Sequence, residues 1–287
     1  MESVITMQEI AKKIEKAGGR LYLVGGALRD KLLHIEKEDE DYCVTGLSLE
    51  KFQALFPDSK IQGKDFPVFI LNQKEIALAR KERKIGKGHK AFSFLTDETI
   101  TIEQDLARRD ITINSMAQDV LTKKVIDPFG GQNDLKRRII RKTTDAFSED
   151  PLRVYRVARF AATLGFSVEQ GTLKMMENLK EELNSLSKER VFVEFKKALA
   201  SQKPSIFFEV LKKANILNVH FEEIANLIGQ IQPEKYHPEG DSYKHTLIVV
   251  DHSSEVTKDL AIRFSCLVHD LGKGVTKKEM LPHHYRT

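Results

Sequence analysis

The segment that most constrains this chain runs from residue 21 to residue 45, LYLVGGALRDKLLHIEKEDEDYCVT. An apolar run stops at Gly25-Gly26, a short helical pattern carries Arg29 and Asp30, and a second strand-like run opens with Asp39 and Asp41. A glycine pair after a buried strand permits a tight strand-to-helix corner, and residues two apart on a strand share a face. Asp39 and Asp41 are therefore expected to project together beside a turn rich in backbone N–H groups. Two hard oxygen ligands in that setting suit Mg²⁺ carrying a triphosphate, which is the chemistry of nucleotidyl transfer. Each part also has a plainer reading, since glycine pairs mark many corners and acidic runs such as 36–41 are commonly solvated loops. Their order within one short span is what favours a site.

The remaining sequence bounds the setting. A chain of 287 residues, 41% hydrophobic and 31% charged, can bury a sizeable core and form two or three domains. No apolar run nears bilayer length and the opening MESVITMQEI lacks a signal-peptide pattern, so no membrane partner and a cytoplasmic location are expected. Cys43 and Cys266 imply neither a disulfide framework nor a zinc knuckle. The formal net charge is only +4, but the basic residues cluster: RKERKIGKGHK at 80–90 sets six Lys/Arg against one Glu. Arg108-Arg109, the 136–142 group and Arg153/Arg156/Arg159 add further patches. Such patches hold phosphates even at modest overall charge, although 136–142 reads equally well as an exposed connector.

Strand-like runs at 21–24, 42–45, 68–72, 75–80, 91–95 and 99–103 alternate with helical patterns, giving a mixed α/β domain. The turn-rich DPFGGQND at 127–134 is expected to be its exit. From 145 onward the pattern turns helical, with helices expected at 151–164, 173–183, 188–200 and 204–214. Pro151 suits a first helical turn, with Asp150 or Ser148 near the N-cap. The segment after 216 is again helical and rich in histidine. The expected division is 1–144, 145–215 and 216–287.

Three further constellations carry chemistry. Arg108-Arg109-Asp110-Ile111-Thr112-Ile113-Asn114 reads either as a helix start capped by Asp110 or Thr112, or as two arginines at a polar helix N-terminus that bind a triphosphate or ribose. In Glu149-Asp150-Pro151-Leu152-Arg153, continuing to Arg156 and Arg159, positions 150, 153 and 156 fall near one another on a helix face. A salt-bridged surface is the commoner fate of that spacing. The sharper reading is base selection. Cytosine and adenine each present an amino donor beside a ring-nitrogen acceptor, so one Asp that accepts and one Arg that donates match both. Uracil and guanine reverse that polarity and leave buried groups unpaired. Finally His245, His269 and Asp270, with His237 and His283-His284 nearby in sequence, form a divalent-metal candidate set; any one of them alone reads as an ordinary surface or core histidine.

Taken in order, LYLVGGALRD, DED, the RKERKIGKG loop, RRDITINSMAQD, DPFGGQNDL and EDPLRVYRVARFAA resemble bacterial class II tRNA nucleotidyltransferase, the CCA-adding enzyme, in its form with a C-terminal HD phosphohydrolase domain. The resemblance implies an α/β nucleotidyltransferase head of the DNA polymerase β superfamily with a mixed sheet. An all-helical neck and body would follow, then the start of a helical HD domain. It implies that Asp39 and Asp41 bind Mg²⁺, that Gly26 and Arg29 contact the triphosphate, and that Arg109 contacts the nucleotide. Asp150 and Arg153 would be the template for the incoming base, with Arg156 and Arg159 helping to hold ATP or CTP. The family's flexible loop, implicated in switching from C to A addition, corresponds to 80–90. Glu75 is either an auxiliary carboxylate or a packing residue. The tRNA acceptor end is the implied partner, with CTP and ATP. HDLGKG, Asp251-His252 and KHT resemble the HD superfamily, which puts a second divalent transition metal at His245, His269 and Asp270, the signature pair being His269-Asp270 rather than Asp251-His252. The family's further downstream Asp does not occur before Thr287 and its full-length members are longer, so a shortened chain is expected. Two alternatives use the same head: a poly(A) polymerase and a specialised CC- or A-adding enzyme. From a different class comes a regulatory RNA-binding HD protein with a degenerate head, against which the intact Asp39, Asp41, Asp150 and Arg153 speak.

Overall fold

The computed structural model describes residues 5–36, 39–63, 67–84, 92–95, 97–235 and 237–276. They form two compact units, Met1–Glu149 and Asp150–Thr287. The first contains, in order, α1 (Met7–Lys16), β1 (Arg20–Val24), α2 (Gly25–Leu32), β2 (Asp41–Thr45), α3 (Leu49–Leu55), β3 (Lys60–Gln62), β4 (Val68–Leu71) and β5 (Lys74–Leu78). A separate hairpin of β6 (Lys81–Lys84) and β7 (Phe92–Leu95) follows, then α4 (Ile102–Ala107), β8 (Ala117–Asp119), β9 (Val125–Ile126) and α5 (Gly131–Arg137). The main sheet has the order β3-β4-β5-β2-β1-β8-β9. Only β2 and β5 run parallel; the other neighbours are antiparallel, so the sheet is mixed.

Period-2 alternation explains why both sheet faces are covered. On β1, Leu21 and Leu23 enter one core with Tyr42 and Val44 of β2 and with Ile10, Ile14 and Phe52 of the helices. Tyr22 and Val24 enter a second core with Cys43, Ile102 and Leu106. The two central strands are thus buried on both faces, each fully buried Leu or Ile contributing roughly 1.5–3 kcal/mol. Helix α1 forms because Ile10 and Ile14 recur on one face and because Thr6 and Glu9 close a capping box at its start.

Two sequence expectations in this unit are corrected. Residues 99–103 do not form a strand: Thr101 and Gln104 make a capping box, and that local bonding starts α4 despite the alternating Thr-Ile-Thr-Ile pattern. The segment at 127–134 is not the exit. Asp127 accepts from the backbone N–H groups of Gly131 (2.6 Å) and Gln132 (2.9 Å) and so opens α5, and the unit continues to Glu149.

The second unit is helical: α6 (Arg153–Leu164), α7 (Gln170–Asn178), α8 (Lys180–Leu183), α9 (Lys188–Leu199), α10 (Ser205–Lys213), α11 (Leu217–His220), α12 (Glu222–Ala225), α13 (Ser242–Val256) and α14 (Leu260–Val268), then a 3-10 turn at Leu271–Val275. Its core joins Tyr155 and Ala158 of α6, Phe195 of α9 and Phe207 and Phe208 of α10, with Phe221 edge-on to the last two rings. The single helix expected at 173–183 breaks at Leu179, which serves as C-cap of α7 and N-cap of α8. Helix α6 begins at Arg153 rather than at Pro151, because Asp150 takes the Leu152 N–H on its side chain and the Arg153 N–H on its carbonyl. No helix among the described residues is long and apolar enough to cross a membrane.

Candidate functional site

In the first unit the chemistry gathers at the turn between β1 and α2. Asp41 pairs in register with Val24, the residue before Gly25, so the carboxylate starts where the glycine turn begins. Alternation gives Asp41 the same sheet face as Cys43, the face covered by α4. Gly25 has φ +67° and lies so near Arg109 that a Cβ there would be 3.0 Å from Nη1; a Cβ on Gly26 would be 3.4 Å from Arg29 Nη2. The left-handed backbone therefore favours glycine at the first position, and a Cβ there would also press on the guanidinium beside it. Asp41 is solvent-accessible, yet crowding of its carboxyl by the surrounding chain raises its pKa; Arg109 pulls it down and Asp39 pushes it up. Those couplings bring Asp39, Asp41 and Arg109 into one electrostatic group. Asp39 also lines an open cleft of about 660 Å³ with Ala27, Asp30, Lys31, His34 and Glu40. Glu75 pairs with Asp41 across the parallel β2–β5 ladder and is exposed, so it is not a packing residue.

The arginines are held by groups that the motif reading passed over. Asp105, 1% exposed in its side chain, binds Arg108 Nη2 at 2.6 Å and Arg109 Nη2 at 3.0 Å. Burial pushes its carboxyl up, but the two guanidiniums outweigh burial and hold it at about 2. Arg29 is buried and donates from Nε to Asp30 (2.8 Å) and from Nη1 to Asn114 Oδ1 (2.7 Å). Asp110 does not cap a long helix: its Oδ1 accepts from the Ile111 N–H and from Asn114 Nδ2, closing a buried 3-10 turn at Thr112–Asn114. The visible signal for Asp105 was its spacing, three and four residues ahead of the two arginines beside an apolar Leu106. Of the basic loop at 80–90, residues 80–84 are described, with strand β6 in place, and 85–90 lie outside the described residues.

In the second unit Asp150, Arg153, Arg156 and Arg159 sit at and just after the start of α6. Asp150 Oδ2 accepts from Arg190 Nη2 of α9 at 3.2 Å, and Arg153 is 8% exposed. The Arg159 guanidinium lies 3.8 Å from the centre of the Phe160 ring and donates from Nε to the buried Glu194 at 2.5 Å; Arg156 lies over the same ring at 5.5 Å. Arg159 is thus anchored by α9 as well as by its own helix.

The histidines converge at the end of α14. His245, His269 and Asp270 place ligand atoms within 4.8 Å of one another, and so do His237, Glu239 and His245. A hydrogen bond to Asp270 raises the His269 pKa, whereas burial pushes Asp270 up and its bonds to His269 and Lys273 hold it well below the usual carboxylate range. Asp251 caps α10 through Ser205, and among the described residues His252 pairs with the exposed Glu255. His283 and His284 lie outside the described residues.

Comparison with known proteins gives a consistent picture. Residues 21–141 match the family model described as Poly A polymerase head domain, and 165–228 match that described as Probable RNA and SrmB- binding site of polymerase A. The chain is 46% identical over 278 residues to a Multifunctional CCA protein of Haemophilus ducreyi, covering 93% of this chain and 67% of the relative. It is 49% identical over 273 residues to a Multifunctional CCA protein of Shewanella denitrificans, covering 93% and 65%. It therefore spans about two thirds of the length of these curated relatives. Among solved structures, a tRNA nucleotidyltransferase complexed with a primer tRNA and an incoming ATP analog matches with a TM-score of 0.61 at 25% identity, over 96% of this chain and 87% of that one.

Proposed function

The chain belongs to the family of multifunctional CCA proteins, and on that premise we propose that it adds CCA to the 3′ end of tRNA from CTP and ATP without a nucleic-acid template. The observation that carries the reading is the junction of Asp41, the Gly25-Gly26 turn and Arg109 at the ends of β1 and β2. In this reading 1–144 is the nucleotidyltransferase head, 145–215 the neck with the base template, and 216–287 the body with part of an HD domain. A cytoplasmic location accords with it.

Nucleotidyl transfer of this type uses a divalent metal. Asp39 and Asp41 suit Mg²⁺: two accessible carboxylates whose mutual repulsion a cation relieves, with coordination left over for phosphate oxygens. Held by Asp39 and Asp41, such a metal would supply Lewis-acid activation of the tRNA 3′-hydroxyl and charge neutralisation for the pyrophosphate leaving group. Arg109, Arg29 and the N–H groups at Gly26 bind and orient the triphosphate, with Asp105 and Asn114 fixing the two guanidiniums. Asp150 accepts from the amino group of C or A while Arg153 donates to the ring nitrogen. A U or G in that place leaves buried groups unpaired at about 1–3 kcal/mol each, enough for roughly tenfold or greater rejection. Arg156 and Arg159 hold the nucleotide from the same helix, and the basic surface grips the acceptor stem by shape. His245, His269 and Asp270 offer two imidazoles and a carboxylate, a donor set suited to a divalent transition metal, and support phosphohydrolase activity in the full-length form.

The test is extension of tRNA lacking its 3′-CCA, with Mg²⁺ and each labelled nucleotide singly and in pairs, resolved to single-nucleotide length. Two C residues and then one A, with no further growth, is the expected product. A long A ladder would make this a poly(A) polymerase, and C or A alone a specialised enzyme.

A further inference from the structure

Glu239 belongs to none of the sequence motifs, yet it touches two of the clustered histidines. It lies in the turn before α13, a turn closed by the bond from the Gly240 N–H to the His237 carbonyl and by the Asp241 cap on Lys244 N. Glu239 Oε1 is 2.5 Å from His245 Nδ1 and 3.2 Å from His237 Nδ1. A carboxylate only accepts, so His245 Nδ1 carries the proton and donates it to Glu239. The other His245 nitrogen, Nε2, then keeps its lone pair, and it faces Asp270 Oδ2 at 3.9 Å. His269 is tied in the same way. Its Nδ1 donates to the Cys266 carbonyl at 2.7 Å, and its Nε2 bonds the same Asp270 oxygen at 3.3 Å through a proton that a metal ion would displace.

Both imidazoles are therefore fixed at Nδ1 by a pure acceptor and turn Nε2 toward one carboxylate oxygen. A metal-binding histidine requires that arrangement: the outer N–H bond sets the tautomer and the ring angle, and a carboxylate acceptor also raises the ligand's basicity. For His269 the acceptor is backbone and survives most substitutions; for His245 it is a single side chain. We propose that Glu239 is a positioning residue for the metal cluster, locking His245 as an Nε2 ligand without itself binding the ion. This rests on the reading of His245, His269 and Asp270 as a metal site. His237 donates to the same Glu239 oxygen and stands edge-on to His245 with ring centres 4.8 Å apart, which holds the carboxylate and the ring in place.

The test titrates the 287-residue chain with Co²⁺, followed by visible absorption and calorimetry, and reads the metal-free imidazoles by ¹⁵N NMR. Wild type is expected to bind one equivalent at the histidine cluster, distinct from any weaker binding by Asp39 and Asp41, and Asp270→Asn to lose that equivalent. Glu239→Ala should weaken Co²⁺ binding about 10- to 100-fold with the same stoichiometry and band shape. Its metal-free His245 should lose the Nδ1–H tautomer for a mixture, a change that a merely structural role would not produce. Glu239→Gln, whose amide oxygen still accepts from Nδ1–H, should recover most of the affinity and the wild-type tautomer. Wild-type affinity in Glu239→Ala, with Asp270→Asn unable to bind, would overturn the proposal and leave the metal site standing. An altered band shape in Glu239→Ala would overturn it by making Glu239 a ligand. Absence of Co²⁺ binding by wild type would overturn the metal site and the proposal together. Superimposable far-ultraviolet spectra and melting curves verify that each variant is folded.

Discussion

Asp105→Asn tests whether the head's arginine cluster is held by one buried charge. The carboxylate is 1% exposed and accepts from Arg108 Nε (3.1 Å) and Nη2 (2.6 Å) and from Arg109 Nε (3.2 Å) and Nη2 (3.0 Å). Its pKa falls from 3.8 to about 2. At about 1.4 kcal/mol per unit, that depression contributes on the order of 2–3 kcal/mol of stability at neutral pH. Breaking a buried pair from one side costs about 3–5 kcal/mol, and the low end applies because Arg108 and Arg109 remain 17% and 20% exposed and regain water. The two routes agree on a loss of about 2–3 kcal/mol. The pKa is lowered on folding, so the contribution is complete above the unfolded value of 3.8 and disappears as pH falls through about 2. Urea unfolding of wild type and Asp105→Asn at pH 7, 5 and 3 should show a full gap at pH 7 and 5 and a narrower one at pH 3. A gap below about 0.5 kcal/mol at pH 7, or one of equal size at pH 3, would refute the reasoning.

Asp41→Asn should abolish nucleotide transfer to tRNA while leaving the far-ultraviolet spectrum and melting temperature within error of wild type; measurable turnover would sink the metal assignment. Arg153→Ala should lower the ratio of kcat/KM for CTP over UTP by at least about tenfold, roughly 1.4 kcal/mol, and an unchanged ratio would count against base selection by this residue. Gly25→Ala puts a Cβ on a left-handed backbone and 3.0 Å from Arg109 Nη1, so CTP binding measured by calorimetry should weaken about tenfold, with about 1–2 kcal/mol lost in urea unfolding. Unaltered CTP affinity would separate Arg109 from the triphosphate.

What the sequence exposes and what it hides divides by the reach of each interaction. The β1–turn–β2 unit was legible because its information is local: alternating apolar residues, a glycine pair and two aspartates two positions apart, although β2 itself begins only at Asp41. The mixed sheet and the change to helices near residue 150 follow from the same periodicities. The error at 99–103 shows two local signals in conflict. Alternating Thr and Ile favour a strand, but the Thr101–Gln104 capping box satisfies backbone donors at once and the helix wins. The partners that fix the candidate side chains are mostly distant. Arg29 meets Asn114 across 85 residues, Arg159 meets Glu194 across 35, and Asp150 meets Arg190 across 40. A motif names the candidate residue, whereas the acceptor behind it can come from any segment the fold brings near. Glu239 shows the limit even at short range. It is six residues from His245, but only the turn between them makes its carboxylate meet Nδ1 rather than solvent. Motif residues are therefore legible as chemistry, and the groups that orient them become legible only once burial has removed water as the competing partner.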